Sequence, residues 1–150
     1  MSMSKRVGDR AGREIERDCL AVRIRMLNRI ITGVYDDALR PFGITTSQAN
    51  MLTAIHQAGP VRQARIAESL CIEKSTLSRN LSLLKKRGLI RLLPGEDDRS
   101  HTVAITVRGS SLLEECLPAW RKAQQAAVEI LGDDGAATLK TVANRHLSQQ

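Results

Sequence analysis

The sequence predicts a mainly α fold interrupted by one small β-hairpin. Apolar residues recur every three or four positions through most of the 150 residues. One pair of alternating, β-branched runs, Leu89 to Leu93 and Thr102 to Val107, stands apart from that rhythm. The chain holds one Trp, one Tyr and one Phe, so its core must be built from Leu, Ile, Val and Ala, which suits close helix packing and disfavours an all-β fold.

From Ile15 to Leu39 the positions Ile15, Cys19, Val22, Met26, Ile30, Val34 and Ala38 form one apolar stripe, widened by Leu27, Ile31 and Tyr35. This spacing predicts one long helix, ended by Arg40-Pro41 and turned at Gly43, because a residue before proline is pushed out of the α region. The dozen polar residues ahead of it are expected to be a disordered basic tail.

Thr45-Thr46-Ser47-Gln48 is a capping box, opening a second helix that should stop at Gly59-Pro60. A short third helix runs from about Gln63 to Leu70 with Ile66, Ala67 and Leu70 inward. After Cys71-Ile72-Glu73, the segment KSTLSRNLSLLKKRG keeps helical spacing through Leu77, Leu81 and Leu84, and Gly88 supplies its C-terminal cap. The two strand-like runs follow, joined by a Pro-Gly-acidic loop.

Either Thr106 or Ser111 then caps a long helix through Leu113, Cys116, Leu117, Trp120, Ala127 and Ile130, with Pro118 placed to bend it. Gly132-Asp133-Asp134 breaks and recaps the chain for a last helix carrying Leu139, Val142, Ala143 and Leu147. Neither long terminal helix can bury its stripe alone. The stripes must meet each other within one chain or be covered by a second subunit.

The formal net charge of +7 raises the expectation of a polyanionic partner, nucleic acid before anionic membrane. No apolar run approaches the roughly 20 residues that span a bilayer, and the N-terminus lacks the hydrophobic segment of a signal peptide, so a cytoplasmic protein is expected. Cys19, Cys71 and Cys116 are too widely spaced for a disulfide framework or a zinc cluster. The expectation is no metal and no cofactor: His56, His101 and His146 have no ligand partners at metal spacing. There is also no nucleophile elbow or phosphate-binding glycine loop, and an enzyme is not expected.

The third and fourth helices, joined by a three-residue turn with the small Ala67 where their backbones approach, have the helix-turn-helix arrangement. On the fourth helix Leu77, Leu81 and Leu84 share one side, while Ser75, Arg79, Ser82 and Lys86 lie opposite. That outer face offers guanidinium and hydroxyl groups of the kind that read base edges, together with lysines for phosphates. A hairpin placed after such a helix would lie beside the DNA backbone. In LPGEDDRSHTVAITV the acids Glu96, Asp97 and Asp98 precede Arg99, and Asp97 can brace Arg99 for the electronegative minor groove. An ordinary solvated helix face and a surface turn with a weak ion pair are the competing readings.

The run IAESLCIEKSTLSRNLSLLKKRGLIRL, followed by GEDDRSHTVAITVRG, resembles the MarR family of winged helix-turn-helix transcriptional regulators. The resemblance covers about Ile15 to Leu147 and is most specific at Asp97-Asp98-Arg99-Ser100 and Thr106-Val107-Arg108-Gly109. It implies a homodimer in which segment 15–42 and segment 109–150 form the dimerisation region, and a winged lobe at 43–108 reads half of a pseudopalindromic operator in double-stranded DNA. Residues 1–14 are then the basic tail. The recognition-helix residues would be Lys74, Ser75, Thr76, Ser78, Arg79, Ser82 and Lys86, and the wing residues Asp97, Arg99, Ser100 and His101.

Members commonly respond to a small phenolic or lipophilic ligand, which implies a repressor released by a small-molecule effector. Arg23, Tyr35, His56 and Trp120 are the candidate effector residues. Other members sense oxidants, and Cys19 is the candidate redox thiol, two residues N-terminal of the position those sensors use. The alternative for Cys19 is a structural thiol. The alternative function is a sequence-tolerant architectural DNA-binding protein, which the same basicity would serve.

Overall fold

The computed structural model describes residues 3–94 and 101–147. Its elements in chain order are α1 (Met3–Asp18), α2 (Leu20–Leu39), a 3-10 turn (Arg40–Phe42), α3 (Thr46–Ala58), β1 (Val61–Arg62), α4 (Gln63–Leu70), α5 (Lys74–Lys86), β2 (Ile90–Pro94), β3 (His101–Ile105), α6 (Val107–Leu131) and α7 (Asp133–Leu147). The chain divides into two compact units, 1–33 and 34–150, so that α2 belongs to both.

In the first unit the structure departs from the sequence reading twice. Of segment 1–14, expected as a disordered tail, the described residues 3–14 form most of α1. Its Lys, Arg, Glu and Ala residues are good helix formers, and that local preference outweighs the lack of an apolar stripe before Ile15. The single helix expected from Ile15 is divided at Cys19. Arg23 caps the break: its guanidinium donates to the carbonyls of Glu16 at 3.2 Å and Cys19 at 3.0 Å, and also to that of Arg17, supplying a donor to acceptors at the end of α1. Ile15, Leu20, Val22, Ile24, Met26, Leu27 and Ile30 are exposed along this unit.

The second unit holds a core of Leu39, Ile44, Met51, Leu52, Ile55, Ile66, Leu77, Leu81, Leu84, Leu89, Ile90, Val103 and Cys116. Among the described residues no polar or charged side chain is buried. The helix starts and stops follow the local chemistry. Thr45 accepts from the Gln48 amide while the Gln48 side chain accepts from the Thr45 amide, completing the capping box of α3. Asp36 adds a charged acceptor at the same end, receiving the Thr46 amide at 2.7 Å and its hydroxyl at 2.6 Å. Thr106, rather than Ser111, caps α6, which continues through Pro118 to Gly132.

The expected two-stranded hairpin is the larger part of a three-stranded antiparallel sheet in the order β1-β3-β2. Val103 is its centre, opposite Leu92 on one side and Val61 on the other. Two residues are too few to show an alternating pattern, which is why β1 is not visible in the sequence. Val107, expected as the end of a strand, is the first residue of α6 because Thr106 already caps the helix. Among the described residues no helix is long and apolar enough to cross a membrane.

Candidate nucleic-acid interface

Helices α4 and α5 are joined by Cys71, Ile72 and Glu73. Cys71 takes the left-handed conformation with φ 50° and ψ 44°. Its amide donates to the Glu68 carbonyl and the amide of Ile72 to that of Ala67, both at 3.1 Å, so the α4 end is a Schellman motif with cysteine where glycine is usual. Ala67 and Ile72 both rest against the core, which sets the departure angle of α5.

Helix α5 is held by Leu77, Leu81 and Leu84, all buried. Lys74, Ser75, Thr76, Ser78, Arg79, Ser82 and Lys86 are all exposed, as the helical period requires once the leucines face inward. Asn80, half-buried, donates to the Thr76 carbonyl at 3.1 Å, and Lys85 joins the exposed cations at the C-terminal end. That end is a second Schellman motif: Leu89 N–H donates to Leu84 O at 3.0 Å and Gly88 N–H to Lys85 O at 2.9 Å, with Gly88 at φ 69°.

The hairpin is rooted on this end. The Thr106 hydroxyl donates to Gly88 O at 2.7 Å and accepts from Gly109 N at 3.1 Å, while Thr106 N donates to Leu89 O at 3.0 Å. A single threonine therefore caps α6 and ties it to the exit of α5. Of the wing residues, His101 is exposed and pairs with Pro94 where the two strands open. Asp97, Arg99 and Ser100 lie outside the described residues.

The contacts made by two further residues are not evident from the sequence. Gly109 is buried against Leu89, and Arg87 turns away from the Lys85-Lys86 pair to donate to the backbone of Phe42 and Gly43. A Thr-x-x-Gly pattern was the only trace of the first. Nothing in the Lys-Lys-Arg run distinguishes the third cation from the other two.

Of the candidate effector residues, Tyr35 and Trp120 are neighbours, with ring centroids 6.3 Å apart and planes at 39°. The Tyr35 hydroxyl donates to Gln124 Oε1, and burial pushes its pKa above the ordinary phenol value. His56 is exposed in the last turn of α3. Arg23 is engaged with the α1 carbonyls already described. Cys19 is half-buried at the break between α1 and α2. Cys116 is buried on α6, where desolvation pushes its thiol up; its backbone hydrogen bond opposes that push, and the nearby Glu115 charge adds the smallest contribution, also upward.

The MarR family model matches residues 42–100, the stretch that carries α3, α4, α5 and β2. The HTH-type transcriptional regulator YwoH of Bacillus subtilis is 30% identical over 93 residues, covering 62% of this chain and 68% of the relative. The chain belongs to the MarR family. The match to an HTH-type transcriptional regulator of Bacillus cereus, 31% identical over 83 residues, covers 55% of each. Among solved structures, a variant of MarR from E. coli complexed with operator DNA superposes with a TM-score of 0.78 at 26% identity, over 89% of this chain and 96% of that one. The M. tuberculosis regulator MOSR, also in complex with DNA, gives a TM-score of 0.75 at 29% identity over 88% and 96%. As MarR-family regulators are transcription factors rather than enzymes, the surface of α5 and its hairpin is the site to explain.

Proposed function

We propose that this chain is a sequence-specific DNA-binding transcriptional regulator that works as a homodimer on a pseudopalindromic operator. The observation that carries the reading is the division of α5: three buried leucines fix one side of the helix, and eight exposed basic or hydroxyl side chains, Lys85 among them, make up most of the remainder. Ser75, Thr76, Ser78, Arg79 and Ser82 would address base edges, with Lys74 and Lys86 on phosphates. Arg99, braced by Asp97, would enter the flanking minor groove, with Ser100 and His101 beside it. The first helices and segment 109–150 of each chain would supply the dimer contact, consistent with the exposed apolar side chains of both.

The regulator acts as a repressor in this proposal. An effector releases it by preferring a dimer geometry in which the two recognition helices no longer match successive major grooves, about 34–36 Å apart. Tyr35 and Trp120 are the proposed start of the effector site, offering an aromatic wall beside a polar hydroxyl.

Selection from a randomised DNA pool at about 150 mM salt tests the proposal, since weak electrostatic attachment is already penalised there. Enrichment of an inverted repeat is the expected result. Retention without a consensus would replace it with the architectural reading, and no retention would overturn both.

A further inference from the structure

Arg87 ends the recognition helix, and its side chain does something different from its neighbours. Lys85 and Lys86 are exposed, whereas Arg87 is half-buried. Its guanidinium donates to Phe42 O at 3.0 Å through Nη2 and to Gly43 O through Nη1. One planar fork thus holds two consecutive carbonyls across a sequence separation of 44 residues, a geometry that a lysine ammonium does not reproduce. The receiving turn is itself shaped for the contact. Gly43 has φ 68°, its amide closes the 3-10 turn on Arg40 O at 2.9 Å, and a β-carbon there would stand 3.3 Å from Arg87 Nη2.

We propose that Arg87 is a positioning residue for DNA reading: it sets the tilt of α5 by fixing its C-terminal end to the Phe42-Gly43 turn, and it contacts no phosphate. The leucine side chains hold α5 against the core, but apolar contact is non-directional and tolerates small rotations. The fork adds direction at one end. From residue 75 to residue 87 the helix extends about 18 Å, so a tilt of about 3° pivoted at one end moves the other by about 1 Å. That is beyond the roughly 0.5 Å within which a binding constellation must be held. Specificity should therefore depend on Arg87 although its charge is directed into the protein.

The inference rests on the DNA-reading assignment above, and the test separates the two. Affinities for the selected operator and for random duplex are measured across a salt gradient for the wild type, Arg87→Lys, Arg87→Ala and Lys86→Ala. Amide hydrogen exchange is recorded on the same DNA-free proteins. In both Arg87 variants the amides of Gly43, Gly88 and Leu89 should exchange about tenfold faster than in the wild type, with α6 amides as the reference. Preference for operator over random DNA should fall about tenfold, as a displaced α5 loses alignment with base edges, while the salt slope stays at the wild-type value. Lys86→Ala should do the reverse, lowering the slope by about two on both DNAs, one for each subunit, and keeping the preference.

A slope lowered by about two in Arg87→Ala with preference retained would make Arg87 a phosphate contact in each subunit and overturn the proposal. Faster exchange with preference retained would reduce it to a structural tie, and unchanged exchange would remove the link altogether. A wild type that discriminates no sequence fails the function proposed above and takes this role with it; a discriminating wild type matched by Arg87→Lys sinks the Arg87 role alone.

Discussion

Gly109 lies so close to Leu89 that a β-carbon on the glycine would stand 2.2 Å from the Leu89 carbonyl oxygen. The approach is forced by Thr106, whose amide donates to that same carbonyl while its hydroxyl bridges Gly88 and Gly109. The first turn of α6 is thereby pressed onto the exit of α5, at the point where the hairpin begins. Leu89 O is backbone, so neither partner can rotate out of the way.

Gly109→Ala should therefore destabilise the fold by about 1–3 kcal/mol, the range for overpacking a tight site, even though alanine is the better helix former. Thermal unfolding checks this. Each kcal/mol is worth about 2–4 °C in a chain of this size, and an unchanged or raised midpoint would show that the two segments are not in contact.

Cys71 occupies the left-handed position at the end of α4, where a side chain costs about 1–2 kcal/mol that glycine avoids. Part of the gain is returned as unfolded-chain entropy, so Cys71→Gly should stabilise by about 0.5–1 kcal/mol. Cys71→Val should destabilise, because β-branched residues fit that region worst. If denaturant midpoints place the two variants in the opposite order, the turn is not left-handed at this residue.

Tyr35 and Cys116 both have pKa values raised by burial, so the folded state disfavours their ionised forms. Stability from these groups is intact below their unfolded values, about 8.5 for the thiol and about 10 for the phenol, and is lost as pH rises beyond them. Tyr35→Phe should cost about 0.5–1.5 kcal/mol at neutral pH through the lost bond to Gln124, yet narrow the gap to wild type above about pH 10. A constant difference across that range would mean that Tyr35 is not desolvated.

On DNA, Arg79→Ala should weaken operator binding by about 1–3 kcal/mol and relax the preference at one base position. Arg99→Ala should act through the flanking A·T content instead, since a guanidinium in a narrow minor groove reads shape. Titrations against operators altered at the core or at the flank separate the two, and an unchanged affinity would remove that residue from the interface.

Much of this was legible because it is local. The capping box at Thr45, the leucine spacing of α5 and the glycine at its end are each written within a few residues, and the observed boundaries of α3, α4 and α5 follow them. Most of what was missed depends on residues distant in sequence. β1 needs its partner β3 and the role of Arg87 needs a turn 44 residues earlier, while the break at Cys19 is local, with Arg23 reaching the carbonyls of Glu16, Arg17 and Cys19. In each case a single side chain or strand pairing overrides a pattern that looks continuous, and no periodicity encodes it. Residues 3–14 differ for another reason: a polar N-terminal run reads as a tail, whereas the helix propensity of its residues supports α1.

The apolar interior has a consequence for how the molecule meets its surroundings. With no polar or charged side chain buried among the described residues, folding rests chiefly on apolar contacts that ionic screening touches little, while the basic groups of α5 that would grip a polyanion stand in solvent. Rising ionic strength can therefore switch attachment off with far less effect on the architecture. Such a protein can let go of its target without risking its own integrity, and return to it as soon as the ions thin out.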